Sequence, residues 1–241
     1  HHGETAFMRA CKNGISDVVE LLLDNSYSGI DLNAKDNYGL TSFMIACVNG
    51  HKDVVLLLLD HSNSGIDLNA RNNGGKTAFV LACTKGHRDV VKLLLNHFDI
   101  IELNAKDIDG MTAFMWACKN GHKKVVKLLL NHSSIDLNAR NVQGYTGFML
   151  ACTNGSTKVV KLILGRLDSN IDLNGRETEN GWTPFLIACM YGQKGVVQQL
   201  LKHSQTKYID IISGQEQLSD NMKLFIEKCN HRHVTKRRKL S

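Results

Sequence analysis

Several side chains in this 241-residue sequence have types and spacings that could bind phosphate. Gly74-Gly75-Lys76-Thr77 is similar to the end of a phosphate-binding loop, in which the lysine contacts the nucleotide phosphates. That loop needs another glycine five residues before Gly75, and position 70 is Ala70. The sequence also lacks the glycine-rich fingerprint of a dinucleotide site. We therefore expect no nucleotide cofactor.

Eleven histidines and seven cysteines could serve as metal ligands or catalytic groups. Cys229-x-His231-x-His233 offers three ligands of suitable type, whereas a structural zinc site needs four. Six other histidines recur at intervals of 35 or 36 residues and so form ladders rather than a tetrahedral set. They are His51, His87 and His122 in one ladder and His61, His97 and His132 in the other. We expect no metal site and no enzyme activity.

A repeated segment explains most of the chain. It starts as Thr5-Ala-Phe-Met-Arg-Ala-Cys and returns five times, with spacings of 36, 36, 35, 34 and 37 residues between the threonines. Each threonine follows a glycine by two residues, which favours a turn, and its hydroxyl suits a helix N-cap. A second glycine, a second apolar helix and a polar loop complete the unit. The repeat threonines are Thr5, Thr41, Thr77, Thr112, Thr146 and Thr183.

The unit resembles the ankyrin repeat in three separate segments. The opening is matched by Asp36-Asn37-Tyr38-Gly39-Leu40-Thr41, the centre by Gly50-His51-Lys52-Asp53-Val54-Val55, and the end by Asp31-Leu32-Asn33-Ala34. The resemblance implies an all-α solenoid of helix-turn-helix units joined by hairpin-like loops. It assigns six repeats to residues 1–205, the first truncated at its N-terminus.

The chain departs from the family pattern at two repeated positions. Methionine, valine or leucine replaces the family histidine of the first helix, so we expect packing to replace its hydrogen bonds. Cysteine occupies a position where the family has alanine, and stacked helices about 8–10 Å apart are too distant for disulfides. We therefore expect reduced core thiols and a reducing, intracellular compartment. These cysteines are Cys11, Cys47, Cys83, Cys118, Cys152 and Cys189.

The asparagines of the loop motif admit two interpretations. The resemblance allows β-hydroxylation, whereas the simpler role, which we favour, is to satisfy backbone groups of the loop. They are Asn33, Asn69, Asn104, Asn138 and Asn174.

The C-terminal part of the chain falls into two segments. Residues 206–229 are expected to form a divergent cap with an amphipathic helix, because five apolar side chains share one helix face. Residues 230–241 form a basic tail that carries five of the six net positive charges, so we expect any basic function to lie there. The apolar face comprises Leu218, Met222, Phe225, Ile226 and Cys229.

The tail contains a candidate nuclear-import signal, Lys236-Arg237-Arg238-Lys239. A solvated tail and an electrostatic contact with RNA or acidic lipid remain alternatives. We expect a cytoplasmic protein, with nuclear entry if the signal is used. The longest apolar run, Val54–Leu59, is too short for the ~20 residues of a membrane span.

The resemblance implies partner binding through hairpin tips and the inner helix face. Met111, Tyr145 and Trp182 precede their threonines and are expected to form an exposed row. We predict a monomeric, non-catalytic scaffold or adaptor for one or more proteins. The alternatives are a substrate-recruiting subunit of a ubiquitin ligase or other enzyme assembly, and nucleic-acid contact through the tail. The candidate partner-binding residues are Tyr38, Leu40, Ile108, Met111, Val142, Tyr145, Trp182 and Tyr191.

Overall fold

The computed structural model describes residues 3–24, 29–61, 65–166 and 170–203, with positions 220, 221, 223 and 224. This part of the chain contains twelve α-helices and no strand. The predicted cap therefore lies almost entirely outside the described residues, and the basic tail lies wholly outside them. None of the helices described is long and apolar enough to cross a membrane.

The helices follow one another in six pairs, and each pair with its preceding turn is called a unit. In chain order they are α1 (Ala6–Asn13), α2 (Ser16–Asp24), α3 (Ser42–Asn49), α4 (Lys52–Asp60), α5 (Ala78–Lys85), α6 (Arg88–Leu95), α7 (Ala113–Lys119), α8 (Lys123–Leu130), α9 (Gly147–Thr153), α10 (Thr157–Leu164), α11 (Pro184–Met190) and α12 (Lys194–Lys202).

The two helices of a unit belong to two rows. Each odd-numbered helix packs on the next odd-numbered helix, and the even-numbered helices pack in the same way. We call the odd helices the inner row, because helices such as α3 bury most of their residues. The even helices form the outer row, in which only one face is buried. The core runs between the rows through fully buried phenylalanines, Phe43, Phe79, Phe114 and Phe148.

Each inner helix begins directly after its repeat threonine, as predicted. Thr41 Oγ1 accepts a hydrogen bond from the Met44 N–H at 3.3 Å, and the other five threonines cap their helices in the same way. In three units the methionine sulfur also accepts a weak hydrogen bond from the threonine N–H. These methionines, Met8, Met115 and Met149, contribute hydrogen bonds as well as the packing that we expected.

A histidine joins successive units at the turn between the two helices. Gly50 has a φ of 80°, and a Cβ there would lie 2.5 Å from the ring Nδ1 of His87 in the next unit. His87 Nε2 lies 2.9 Å from the Val48 carbonyl oxygen. The ring thus packs on the glycine of the preceding unit and binds its backbone. The same bond is made by His51, His122 and, through its amide, Gln193.

The loop asparagines also connect neighbouring units. Asn69 Nδ2 donates to the Ile100 carbonyl at 2.8 Å, and its Oδ1 accepts from the Glu102 N–H at 2.8 Å. Both polar atoms of the side chain therefore satisfy loop backbone, as the simpler interpretation predicted. Asn33, Asn104 and Asn138 do the same.

Candidate partner-binding surface

The turn before each inner helix is organised by one polar side chain. Asp36 Oδ1 accepts hydrogen bonds from the backbone N–H groups of Tyr38 at 2.9 Å and Leu40 at 2.8 Å. This side chain replaces water as the acceptor for two donors that the turn leaves unpaired, so it defines the shape of the turn. Equivalent bonds are made by Asn72, Asp107 and Asn141.

The last turn is one residue longer, and a longer side chain organises it. Glu177 accepts hydrogen bonds from the N–H groups of Glu179, Asn180 and Trp182 at 2.6–3.0 Å. Burial raises the pKa of this carboxyl group, but the backbone donors around it outweigh burial and hold the pKa below its ordinary value. The carboxylate is therefore an integral part of the turn.

Successive turns are joined by backbone hydrogen bonds. The Ile108 N–H donates to the Gly74 carbonyl at 3.2 Å, and the Val142 N–H donates to the Asp109 carbonyl at 3.1 Å. The turns therefore form one continuous edge with a defined register. The same bond joins Asn73 to Tyr38 and Thr178 to Gln143.

Three of the predicted site residues are exposed apolar side chains on this edge, one on the second turn and two on the fourth and fifth turns. Tyr38, Ile108 and Val142 are 58%, 72% and 70% exposed, and we call them the tip row. Tyr191, which ends α11, is also exposed, at 53%. The tip row and Tyr191 are therefore exposed to solvent, and their contact with a partner stays a prediction.

The expectation that Met111 is exposed is wrong, since only 3% of the residue is accessible. Its side chain packs in a small cluster with Met115 and Leu150, partly covered by Tyr145. The flexible, apolar methionine side chain can fill an irregular space between two units, and removing it from water is energetically favourable. The other two predicted members of that row, Tyr145 and Trp182, are half-buried rather than exposed and pack on the core. Leu40, a separate candidate, is also half-buried against the core.

The sequence did not assign a role to the cluster around Trp116 on α7. The indole Nε1–H donates to Asp107 Oδ2 at 2.8 Å, and Lys76 Nζ lies 3.6 Å from the ring centroid. Lys119 Nζ lies 4.9 Å from the same centroid. Burial lowers the pKa of Lys76, partly offset by the carboxylate of Asp107. The only sequence signal was a tryptophan where the other inner helices have mostly aliphatic residues.

The side chains that could hold a metal ion are scattered through the described part of the chain. No set of three or more histidine, cysteine, aspartate or glutamate side chains is close enough there to do so. The Cys229, His231 and His233 segment lies outside that part.

The family model for ankyrin repeats matches the chain three times, over residues 1–72, 64–141 and 136–213. The chain belongs to the ankyrin repeat family. No curated protein matches it. Ankyrin repeats are protein–protein interaction modules and are generally not catalytic, so the accessible edge described above is the natural candidate for partner contact.

Proposed function

We propose that this ankyrin repeat protein is a non-catalytic, monomeric scaffold or adaptor, which binds a partner protein along the tip row. The observation that supports this is the exposure of Tyr38, Ile108 and Val142 on turns that are hydrogen-bonded in register. Apolar and aromatic side chains are favoured anchors of protein interfaces. Because the turns are ordered before binding, little conformational entropy is lost on association.

The inner row beside the tips would form the second part of this interface. Trp116 is half-buried and carries Lys76 above its ring, while Tyr191 is exposed at the end of α11. Tryptophan, tyrosine and a nearby cation can contact both apolar and anionic groups. We therefore propose a partner segment that lays apolar side chains across the tips.

An Ile108→Asn/Val142→Asn variant tests the proposal. Asparagine occupies the same position in two other turns, as Asn37 and Asn73, so the turns should be preserved. Proteins captured from a eukaryotic lysate by the parent chain should be lost with the variant, and binding of the purified partner should fall at least tenfold. Circular dichroism of the two chains should be identical.

A control substitution on the outer row makes this experiment specific. Leu56 on α4 is also an exposed apolar residue, and Leu56→Gln should leave capture unchanged. Equal capture by the parent and the tip variant would overturn the proposed interface.

The alternative functions depend mainly on residues 204–241, almost all of which lie outside the described part. The nucleic-acid contact would be made by the basic tail, and the ubiquitin-ligase alternative needs a recruiting segment in addition to the repeats. We propose a cytoplasmic location with nuclear import through residues 236–239. A reporter fused to residues 230–241 should enter the nucleus, and a reporter that stays cytoplasmic would contradict the import signal.

A further inference from the structure

The outer row is electrically polarised along the chain. Its helices change in formal charge from −3 on α2, through −1 on α4 and +1 on α6, to +3 on α8 and +2 on α10. The body of the chain is close to neutral only in sum. A basic surface therefore exists outside the tail, although we expected any basic function to lie in the tail.

The basic end of the outer row contains a groove between α8 and α10. Its volume is about 400 Å³, its apolar lining includes Leu130 and Leu162, and five cationic side chains surround it. The four lysines make no hydrogen bond or ion pair with any residue that the structure describes. Like charges on neighbouring helices repel one another, so an anion in the groove would relieve that repulsion. The cations are Lys123, Lys127, Lys158, Lys161 and Arg166.

The arginine of this groove is held in place by its neighbours. Its guanidinium donates to the Leu130 carbonyl at 2.5 Å and to the side-chain oxygen of Asn131. A guanidinium ordered in advance loses less entropy on binding an anion than a mobile one does.

A second cavity adjoins the groove where a histidine is missing between two units. Ser156 occupies the position of His87 and His122, and its short side chain leaves a pocket of about 320 Å³ beside Gly121. Within the described residues, Ser156 Oγ has no hydrogen-bond partner. Lys158 lines both the pocket and the groove, so the two cavities are adjacent and one ligand could contact both.

We propose that this site binds a small soluble molecule that carries several phosphate groups. One phosphate would accept a hydrogen bond from the Ser156 hydroxyl, and the others would lie against the lysines and Arg166. Hydroxyl, ammonium and guanidinium groups are the usual protein donors to phosphate. A compact cavity a few hundred Å³ in volume suits a small molecule.

Titration with inositol hexakisphosphate at 0.15 M salt tests the proposal. The parent chain should bind it, and two variants should each weaken binding at least tenfold. Ser156→His fills the pocket with the histidine that occupies this position in three other units. Lys127→Glu/Lys161→Glu reverses two charges in the groove. Lys52→Glu/Lys92→Glu, on α4 and α6 of the same row, is the matched control and should change affinity less than twofold.

Several outcomes would overturn the proposal. These are no binding by the parent chain, equal binding by Ser156→His, and equal loss with the control variant. Vesicles containing a phosphoinositide, and a single-stranded RNA, provide two further comparisons. Binding to either of them without binding of the soluble polyphosphate would assign the basic surface to a membrane or a nucleic acid instead.

Discussion

Trp116 and Asp107 link the inner row to a turn, through a hydrogen bond of 2.8 Å from the indole Nε1–H to Oδ2. The other carboxylate oxygen, Oδ1, accepts from the N–H groups of Met111 at 2.8 Å and Asp109 at 3.1 Å. One side chain therefore shapes the turn and orients the ring that Lys76 covers. The two roles can be separated, because Asn72 and Asn141 shape their turns in the same way without binding an indole.

Asp107→Asn should keep the turn and lose the bond to Trp116. We expect a loss of ~1–3 kcal/mol in the free energy of unfolding, since one hydrogen bond to a charged group is removed. Asp107→Ala should cost more, because two backbone donors also lose their acceptor. Urea unfolding followed by tryptophan fluorescence, in a Trp182→Phe background, measures both. A neutral Asp107→Asn would show that the indole bond contributes nothing, and equal destabilisation by the two substitutions would show the same of the turn bonds.

Substitution of Met111 should destabilise the chain and substitution of Ile108 should not, although the two residues share one turn. Met111→Ala removes buried methylene groups and should lower the free energy of unfolding by ~2–5 kcal/mol. Ile108→Asn changes an exposed side chain and should stay within ~0.5 kcal/mol of the parent. Chemical denaturation measures both, and a neutral Met111→Ala would contradict the buried cluster.

Ser156→His should stabilise the chain by ~0.5–1.5 kcal/mol, the typical net contribution of one hydrogen bond. The ring would reach the Lys119 carbonyl, as His122 reaches that of Thr84. The Thr84 carbonyl also accepts from Asn120, and the Lys119 carbonyl already accepts from Asn154, so the geometry is the same. Thermal unfolding provides the measurement. An unchanged midpoint would indicate that the ring does not enter the pocket.

The six repeat cysteines should be unreactive in the native chain. All six are free and buried, and burial raises the pKa of the Cys11 and Cys189 thiols to about 12. Because the thiolate is the reactive form, labelling by Ellman's reagent at pH 8 should require unfolding. A Cys229→Ser background removes the remaining cysteine. Rapid labelling of six thiols without denaturant would contradict this assignment.

Glu177 should make the stability of the chain depend on pH in acid. Its pKa is lower in the folded state than in the unfolded one, so its contribution is complete above about pH 4.5. It is lost as the pH falls through the lowered value. Glu177→Gln should therefore reduce the pH dependence of unfolding below pH 4.5, while exposed Glu179→Gln should not. Parallel stability curves for all three chains would contradict this role.

The repeated threonines, glycines and cysteines were sufficient to predict the helix pairs, their caps and the buried thiols. Capping is predictable from local sequence, since the Thr41 hydroxyl accepts a hydrogen bond from the backbone N–H only three residues later. Periodic apolar residues likewise define which face of each helix is buried. The His51, His87 and His122 contacts were predictable because they repeat with the units.

Only the tertiary structure decided which variable side chains face solvent. Met111 lies three residues from Ile108, yet the packing of the neighbouring unit buries one and leaves the other exposed. The lysines of α8 and α10 are about 34 residues apart in sequence, and they meet because stacking places successive outer helices side by side. The Ser156 pocket likewise depends on two units, because its volume is the space that a histidine fills elsewhere. The sequence alone determined the helix pairs and their caps, because these depend on neighbouring residues. The stacking of units determined the surfaces between them, because those surfaces join residues far apart in the chain.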